Sequence, residues 1–123
     1  MISEVQSETS QYDLQVQLLK VLGHPARLAI LDVLRDGEHC VCHMETYLDQ
    51  RQAYISQQLS VLREAGLIQD RRDGWNIFYR VSDERIYPLL DLVRQYSGQG
   101  EATPTPIKVC NCPHCQNEKT GEF

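Results

Sequence analysis

The chain has 123 residues, of which 41% are apolar, and its formal net charge is −5. This length suits one domain, which excludes a large multidomain enzyme. No apolar run approaches the roughly 18 residues of a membrane span. The N-terminal stretch MISEVQSETSQYD has neither the basic nor the apolar segment of a secretion signal. The sequence therefore predicts a cytoplasmic protein with no membrane partner.

The charge is unevenly distributed along the chain. Residues 1–50 carry three basic and eight acidic side chains, whereas residues 51–80 carry five arginines against three carboxylates. Residues 81–123 are again negative. A surface that faces nucleic-acid phosphate would therefore be built from residues 51–80.

Apolar residues at helical spacing predict the first two helices. Residues 1–10 lack this spacing and are interpreted as a flexible N-terminus. Helix one is predicted over about Gln11–Leu22 and ends at Gly23-His24-Pro25, because proline disfavours the α conformation in the residue before it. Pro25 suits the first turn of helix two, Pro25–Arg35, which stops at Asp36-Gly37.

Two further helices follow and are joined by a polar turn. They are predicted over about Val41–Leu48 and Gln52–Ala65, and Gly66 ends the second of them. Three apolar residues share the inward face of this fourth helix: Ile55, Leu59 and Leu62. Two short helices joined by a tight turn form a helix-turn-helix.

A change to period two then predicts a β-hairpin. The runs Gln69–Arg72 and Trp75–Val81 flank Asp73-Gly74, a hairpin signal because glycine accepts positive φ. This hairpin would form a wing. Ser82 begins a last helix, and Pro88 either kinks it or moves its start to later residues.

The order of these elements defines the expected fold class. It is mainly α with a small β-hairpin, a winged helix-turn-helix over residues 11–97. Residues 98–123 contain Gly98-Gln99-Gly100 and Thr103-Pro104-Thr105-Pro106, which indicate a linker leading to a Cys-rich C-terminal tail.

The five cysteines form two tight clusters: Cys40, Cys42, Cys110, Cys112 and Cys115. An odd number cannot all pair within one chain. In a reducing compartment such close-set thiols favour metal ligands or redox groups over structural disulfides. Thiolates select soft ions such as As(III), Cd(II), Pb(II) or Zn(II). Two sulfurs at i and i+2 reach one ion where the chain is extended or enters a helix, unless both thiols are buried and inert.

The segments LGHPARLAILDVLRDGEHCVC and YISQQLSVLREAGLIQDRRDGWNIFYRV resemble the ArsR/SmtB family of metal- and metalloid-responsive repressors. The resemblance covers about Leu14–Tyr96. It implies a repressor and not an enzyme. It also implies an obligate homodimer whose first and last helices pack across a two-fold axis. It also implies binding to a palindromic operator in double-stranded DNA and release when thiolates capture a soft ion.

The resemblance also bears on the ligands. In arsenic-sensing relatives a third thiolate follows in the same helix, but Glu45 stands at that position here. The third ligand would come from the tail cysteines, because a linker of about 14 residues at roughly 3.3 Å each spans a small dimer. His43 and His114 are further candidates. A second family site on the last helix matches only at Asp83, since Arg85 stands where a histidine belongs.

Candidate DNA contacts lie on the fourth helix and on the hairpin. Once the apolar face is inward, four side chains near the helix N-terminus face outward to read base edges: Gln52, Tyr54, Ser56 and Gln57. Three arginines are candidates for phosphate or minor-groove contacts: Arg63, Arg71 and Arg72. The alternative is that these arginines form surface ion pairs with Glu64 and Asp70.

Two other functions use the same cysteines. A thiol redox or persulfide sensor would join Cys40 or Cys42 to a tail cysteine by oxidation. The tail stretch Cys112-Pro113-His114-Cys115 also fits a thiol-disulfide oxidoreductase, but that motif belongs between a strand and a helix of a βαβ fold. A dispensable tail is the remaining alternative.

Overall fold

The computed structural model describes residues 2–98, and the side chains from residue 11 onward. The helices and strands of this part are α1 Ile2–Leu22, α2 Pro25–Val33, β1 His39–Cys40, α3 Val41–Leu48, α4 Gln52–Glu64, β2 Ile68–Asp73, β3 Asn76–Val81 and α5 Ile86–Tyr96. Among these helices, none is long and apolar enough to cross a membrane. The arrangement is mainly α with a small antiparallel sheet, which confirms the predicted fold class.

The junction between α1 and α2 is formed by Gly23, His24 and Pro25. His24 is extended, with φ −146° and ψ 125°, and its Nδ1 accepts a 3.2 Å hydrogen bond from the amide of Ala26. This contact caps α2. Pro25 at the first helical position removes no hydrogen bond from the helix, because the first amides of a helix have no partner within it.

The start of α1 differs from the prediction. The helix begins at Ile2 and not at about Gln11, so it includes residues that were interpreted as a flexible N-terminus. Residues 2–10 contain neither glycine nor proline, and their Glu and Gln residues favour helix. The prediction relied on apolar spacing, which these polar residues do not display.

The end of α2 also differs slightly. The α-helix stops at Val33 and not at Arg35, and Leu34–Asp36 continue as a 3₁₀ turn. Such tighter turns are frequent at helix C-termini, because they give the last carbonyls a partner. Leu34 is buried in this turn and extends the apolar face of α2 by one residue.

The helix-turn-helix consists of α3 and α4, whose bounds lie within one residue of the prediction. Met44 of α3 is fully buried, and so are Ile55, Leu59 and Leu62 of α4. Gly66 follows α4 with φ 79°, the left-handed conformation that ends many helices and that glycine adopts without steric cost. The inward face of α4 is therefore as predicted.

The strands β2 and β3 form the predicted hairpin, here called the wing. Its last pair is Asp73 opposite Asn76, and the turn between them is Gly74-Trp75. Gly74 has φ 61°, which a tight hairpin turn requires. The turn therefore lies one residue later than the predicted Asp73-Gly74, and Trp75 belongs to it.

A third strand was not predicted. β1 pairs antiparallel with β3, so the strand order is β1-β3-β2. His39 lies opposite Tyr79, and Cys40 lies opposite Phe78. Two residues are too few to show a period-two pattern. The strand that contains Cys40 is therefore hydrogen-bonded to the wing.

The last helix starts later than Ser82. α5 begins at Ile86, and Pro88 is its third residue. The amide that proline lacks would have had no partner inside the helix at that position. Of the two outcomes left open for Pro88, the later start is the one found.

Large apolar side chains remain exposed on α1 and α5. The first half of α5 is inward, with Ile86 and Leu90 buried, but Val93 and Tyr96 are 50% and 96% exposed. On α1, Leu14 is 75% exposed. These two helices therefore present apolar surface that the described part of the chain does not cover.

A hydrogen bond from Tyr87 fixes α5 against α2. The phenol donates 2.7 Å to the carbonyl of Leu31, and the guanidinium of Arg35 lies 4.5 Å from the ring centroid. We expect Tyr87→Phe to lower the free energy of unfolding by about 1 kcal/mol, because a buried carbonyl loses a donor. Tyr54→Phe is the matched control and should have little effect, since the Tyr54 hydroxyl makes no hydrogen bond within residues 11–98. Equal urea unfolding of both variants would contradict this role.

The same side chain gives a pH dependence. Burial raises the pKa of Tyr87 above its ordinary value. The folded chain then keeps a proton that the unfolded chain releases above about pH 10, so stability falls as pH rises through that range. Tyr87→Phe should lessen this alkaline loss of stability, which urea unfolding at two pH values measures.

Candidate functional site

The outward face of α4 presents polar side chains near its N-terminus. Gln52 and Gln57 are exposed, whereas Tyr54 and Ser56 are half-buried. The Tyr54 ring lies 6.5 Å from the ring of His24, beside the start of α2. Of the four predicted base readers, the two glutamines are the most accessible. A glutamine amide pairs bidentately with adenine in the major groove.

Gln58 is a structural residue that the sequence analysis missed. It is buried, and its Oε1 accepts a 2.8 Å hydrogen bond from Nε of Arg27. Arg27 also donates 3.2 Å to the carbonyl of Val21, so it connects α1, α2 and α4. The signal was present, because Gln58 lies three residues after Ile55 on the same helix face. It orients α4 from within rather than facing outward.

The three candidate arginines have different surroundings. Arg63 lies 3.3 Å from Asp70 in an exposed ion pair, which is the alternative arrangement considered above. Arg71 is paired with Glu38, a partner that the sequence did not indicate. Arg72 is exposed and forms no ion pair within residues 11–98. Of the three candidates, Arg72 is thus the one without a carboxylate partner in this part of the chain.

Trp75 is exposed at the tip of the wing. It is the one tryptophan of the chain, and its side chain is fully exposed. The period-two pattern predicts Trp75 as the first residue of a strand, but Trp75 lies in the turn. Its intrinsic fluorescence therefore reports on the wing tip without any label.

The two described cysteines lie together at the head of α3. Cys40 is the N-cap residue, extended at φ −87° and ψ 166°, and is 3% exposed. Cys42 lies in the first turn and is half-buried. Their Sγ atoms are 2.7 Å apart. The chain enters a helix between them, which is the geometry that brings thiols at i and i+2 together.

Neighbouring histidines make contacts of their own. Nε2 of His39 lies 2.9 Å from Oδ1 of Asp36. The rings of His39 and His43 stack with centroids 4.3 Å apart, and the His43 ring lies 4.7 Å from that of Tyr47. Residues 11–98 contain no group of three or more His, Cys, Asp or Glu placed to hold a metal ion. The thiol pair thus supplies two donors.

The thiol pair fits a soft ion in chemistry and, after a small movement, in geometry. Two thiolates of one tetrahedral Zn(II) lie about 3.8 Å apart, given metal–sulfur distances of about 2.3 Å. The Sγ atoms of Cys40 and Cys42, at 2.7 Å, must therefore separate by about 1 Å. Cys42 is the more exposed of the two. The predicted tail ligands Cys110, Cys112 and Cys115 lie outside the described residues.

Asp83, the matching position of the second family site, is paired with Arg85, and Arg94 and Ser97, which stand near the remaining positions, also have partners. Arg85 holds Asp83 through a 2.6 Å contact and lowers the pKa of that carboxyl by hydrogen bonding. Arg94 lies 3.0 Å from Asp32, and the hydroxyl of Ser97 donates to the carbonyl of Arg94. The Asp83 carboxylate is thus already neutralised by an arginine.

Comparison with known proteins places this arrangement in a family. The model of the bacterial regulatory protein arsR family matches residues 24–70. The biofilm growth-associated repressor of Agrobacterium fabrum is 47% identical over 74 residues, 60% of this chain and 63% of that protein. The arsenical resistance operon repressor of Escherichia coli is 47% identical over 70 residues, 56% of this chain and 60% of that protein. The matched region thus spans less than two thirds of either relative.

A solved structure supports the same assignment. The homodimeric winged helix-turn-helix DNA-binding domain Mb0332 of Mycobacterium bovis superposes with a TM-score of 0.66 at 30% identity, covering 73% of this chain and 83% of that one. The chain belongs to the arsR family of bacterial regulatory proteins, as its sequence resemblance implied. This membership confirms the prediction of a transcriptional regulator and not an enzyme.

Proposed function

We propose that this protein is a transcriptional repressor that binds operator DNA as a homodimer and is released when Cys40 and Cys42 capture a soft ion. The observation that carries the proposal is the contact between the two Sγ atoms at the head of α3. Both curated relatives described above are repressors, and one of them belongs to an arsenical resistance operon. Candidate ions are As(III), Cd(II), Pb(II) and Zn(II), because each prefers thiolate ligands.

DNA binding is assigned to α4 and the wing. The helix presents Gln52 and Gln57 to base edges, with Tyr54 and Ser56 beside them. Arg63, Arg71 and Arg72 supply the positive charge that phosphate requires. In winged helix-turn-helix proteins the second helix of the motif enters the major groove. The exposed Trp75 lies on the same hairpin and would report on the contact.

Homodimerisation is assigned to α1 and α5. Both helices expose large apolar side chains, among them Leu14, Leu19, Leu92 and Tyr96. Burial of such side chains against a second copy is favourable, since each square ångström of apolar surface removed from water contributes about 25 cal/mol. The homodimeric Mb0332 domain supports this arrangement.

The signal would pass from the thiols to the DNA-reading helix through α3. Cys40 and Cys42 lie at the start of α3, and Met44 packs in the same core as Ile55 and Leu59 of α4. Drawing the thiols toward a third thiolate, from Cys110, Cys112 or Cys115, moves the head of α3. Because α3 supports α4, this movement changes how α4 meets the operator.

The proposal is tested with an operator duplex selected from a random library. Affinity for this duplex is measured by anisotropy while As(III), Cd(II), Pb(II) or Zn(II) is added. We expect at least one soft ion to weaken binding by roughly 5- to 150-fold, whereas Mg(II) and Ca(II) have no effect. An affinity that none of the four ions changes would refute ion sensing and leave only the DNA-binding part.

Truncation after Gly100 tests whether the tail supplies the third ligand. We expect the shortened protein to bind the operator normally, to lose much of the sulfur-to-metal charge-transfer absorption and to lose its response to the ion. Replacing the three tail cysteines by serine in the full chain is the matched control, since it removes the thiols but keeps the length. Unchanged absorption and response in both would leave Cys40, Cys42 and a nearby histidine or carboxylate as the site.

A second candidate is a thiol redox or persulfide sensor on the same cysteines. It is favoured by the partial exposure of Cys42, because an accessible thiol can react with an oxidant or with a tail cysteine. Two thiols, one from Cys40 or Cys42 and one from the tail, would lose two protons and two electrons to an added peroxide or polysulfide and form one sulfur–sulfur bond. Two measurements separate the candidates. A stoichiometric metal in the mass spectrum of the protein purified under reducing conditions supports the first, and release from DNA only after addition of an oxidant, measured by anisotropy, supports the second.

A further inference from the structure

Glu38 holds the wing residue Arg71 in a bidentate contact. Nη2 of Arg71 donates 2.6 Å to Oε1 of Glu38, and Nε donates 3.1 Å to Oε2. The guanidinium also lies 4.9 Å from the ring centroid of Phe78 and 3.9 Å from a carboxylate oxygen of Asp73. The guanidinium of Arg71 is therefore paired with a carboxylate of the same chain.

This contact joins the segment that leads into β1, the strand that contains Cys40, to the wing. Glu38 directly precedes β1, whose Cys40 lies opposite Phe78 of β3, and Phe78 lies opposite Arg71 of β2. The carboxylate is thus two residues from one sensing thiol, and its partner is one strand beyond β3. A displacement of Cys40 moves the backbone that carries Glu38.

The chemistry of the contact is that of phosphate recognition. A guanidinium fork accepts a carboxylate or a phosphate in the same planar, bidentate geometry. Glu38 and a DNA phosphate would therefore compete for the same donors of Arg71. Half of the Arg71 side chain is exposed, at 51%, and such exposed pairs contribute little to stability, so exchange is feasible.

We propose that Glu38 withholds Arg71 from DNA phosphate and thereby sets the affinity of the wing for DNA. The proposal rests on the proposed function and deepens it, because it assigns a positioning residue between the thiols and the DNA surface. Arg71 contacts phosphate only when its ion pair with Glu38 is broken. Arg72, with no such partner in the described residues, makes its contact irrespective of Glu38.

Glu38→Gln tests the proposal, since it removes the charge and keeps the shape. We expect this variant to bind both the selected operator and a random duplex roughly 3- to 10-fold more tightly at 0.1 M salt. The plot of log affinity against log salt should steepen by about 1 per protomer, the mark of one added phosphate contact. A purely structural role would not steepen that plot.

Two controls separate a local exchange from a general change in charge. Glu84→Gln removes the same charge from an exposed position that forms no ion pair within the described part of the chain, and it should leave the salt slope unchanged. In an Arg71→Gln background, Glu38→Gln should no longer steepen the slope. If Glu38→Gln reduces thermal stability, Glu38→Asp provides the second test, because its shorter carboxylate cannot keep both hydrogen bonds.

The results distinguish this proposal from the proposed function. A wild-type protein that binds no duplex refutes the proposed function. Normal wild-type binding with an unchanged slope in Glu38→Gln, or the same steepening in the Arg71→Gln background, overturns the role of Glu38 alone. Cd(II) supplies a further readout: Glu38→Gln should keep its charge-transfer absorption while Cd(II) shifts DNA affinity by a smaller factor than in the wild type.

Discussion

Replacing Cys42 by serine should abolish the response of operator affinity to a soft ion, while affinity without the ion stays within about twofold of the wild type. An allosteric effect of 1 to 3 kcal/mol, roughly 5- to 150-fold, should fall to none. The fold is expected to survive, because Cys42 is only half-buried and the core is formed by apolar residues of other elements. DNA anisotropy with and without the ion measures the effect.

The matched control for Cys42→Ser lies one turn further along α3. Thr46 donates a 3.1 Å hydrogen bond to the carbonyl of Cys42, so Thr46→Ala perturbs the same turn without removing a sulfur. This variant should keep the ion response. Cys40→Ser is a less clean test, because Cys40 is buried and a serine hydroxyl there would need a partner. A Cys42→Ser protein that still leaves the operator on ion addition would rule out the thiol pair as the sensor.

The second large effect concerns base reading by α4. Gln57→Ala should weaken operator binding by about 1 to 3 kcal/mol and binding to random DNA much less, because it removes a contact to a base edge. Arg72→Ala should weaken both by the same factor and make the salt slope shallower by about 1 per protomer. Arg72 is preferred to Arg71 for this test, since Arg71 is held by Glu38.

Gln95→Ala is the matched control for the α4 variant. Gln95 is exposed on α5, outside the proposed DNA surface, and its loss should change neither operator nor random binding. If Gln57→Ala and Arg72→Ala reduced specific and random binding equally, base reading would not lie on the outward face of α4.

The local elements were predictable because their signals are local. The caps at His24 and Gly66, the turn at Gly74 and the apolar face of α4 each depend on residues within a few positions of one another. The start of α1 was not predictable from apolar spacing, because its first turns are polar. Neither was β1, which is too short to show a pattern and exists only because β3 offers it a pairing edge.

In the candidate site, too, the contacts between residues close in sequence were predictable and those between distant residues were not. The proximity of the Cys40 and Cys42 thiols follows from their spacing at a helix entry. The contact between Arg71 and Glu38 joins residues 33 apart in sequence and depends on the register of three strands. The sequence therefore predicts Arg71 as a candidate phosphate contact, but it does not predict the pairing of Arg71 with Glu38.

In the proposed mechanism, ion capture by the thiol pair and operator binding oppose each other, and this opposition can be measured from the side of the ion. The ion that weakens operator binding is titrated into the free protein and into its operator complex, with sulfur-to-metal absorption as the readout. Linkage requires the operator to weaken ion binding by the same factor by which the ion weakens operator binding. We predict equal factors of roughly 5 to 150. Equal ion affinity of the free and DNA-bound protein would contradict coupling between the thiol pair and the operator.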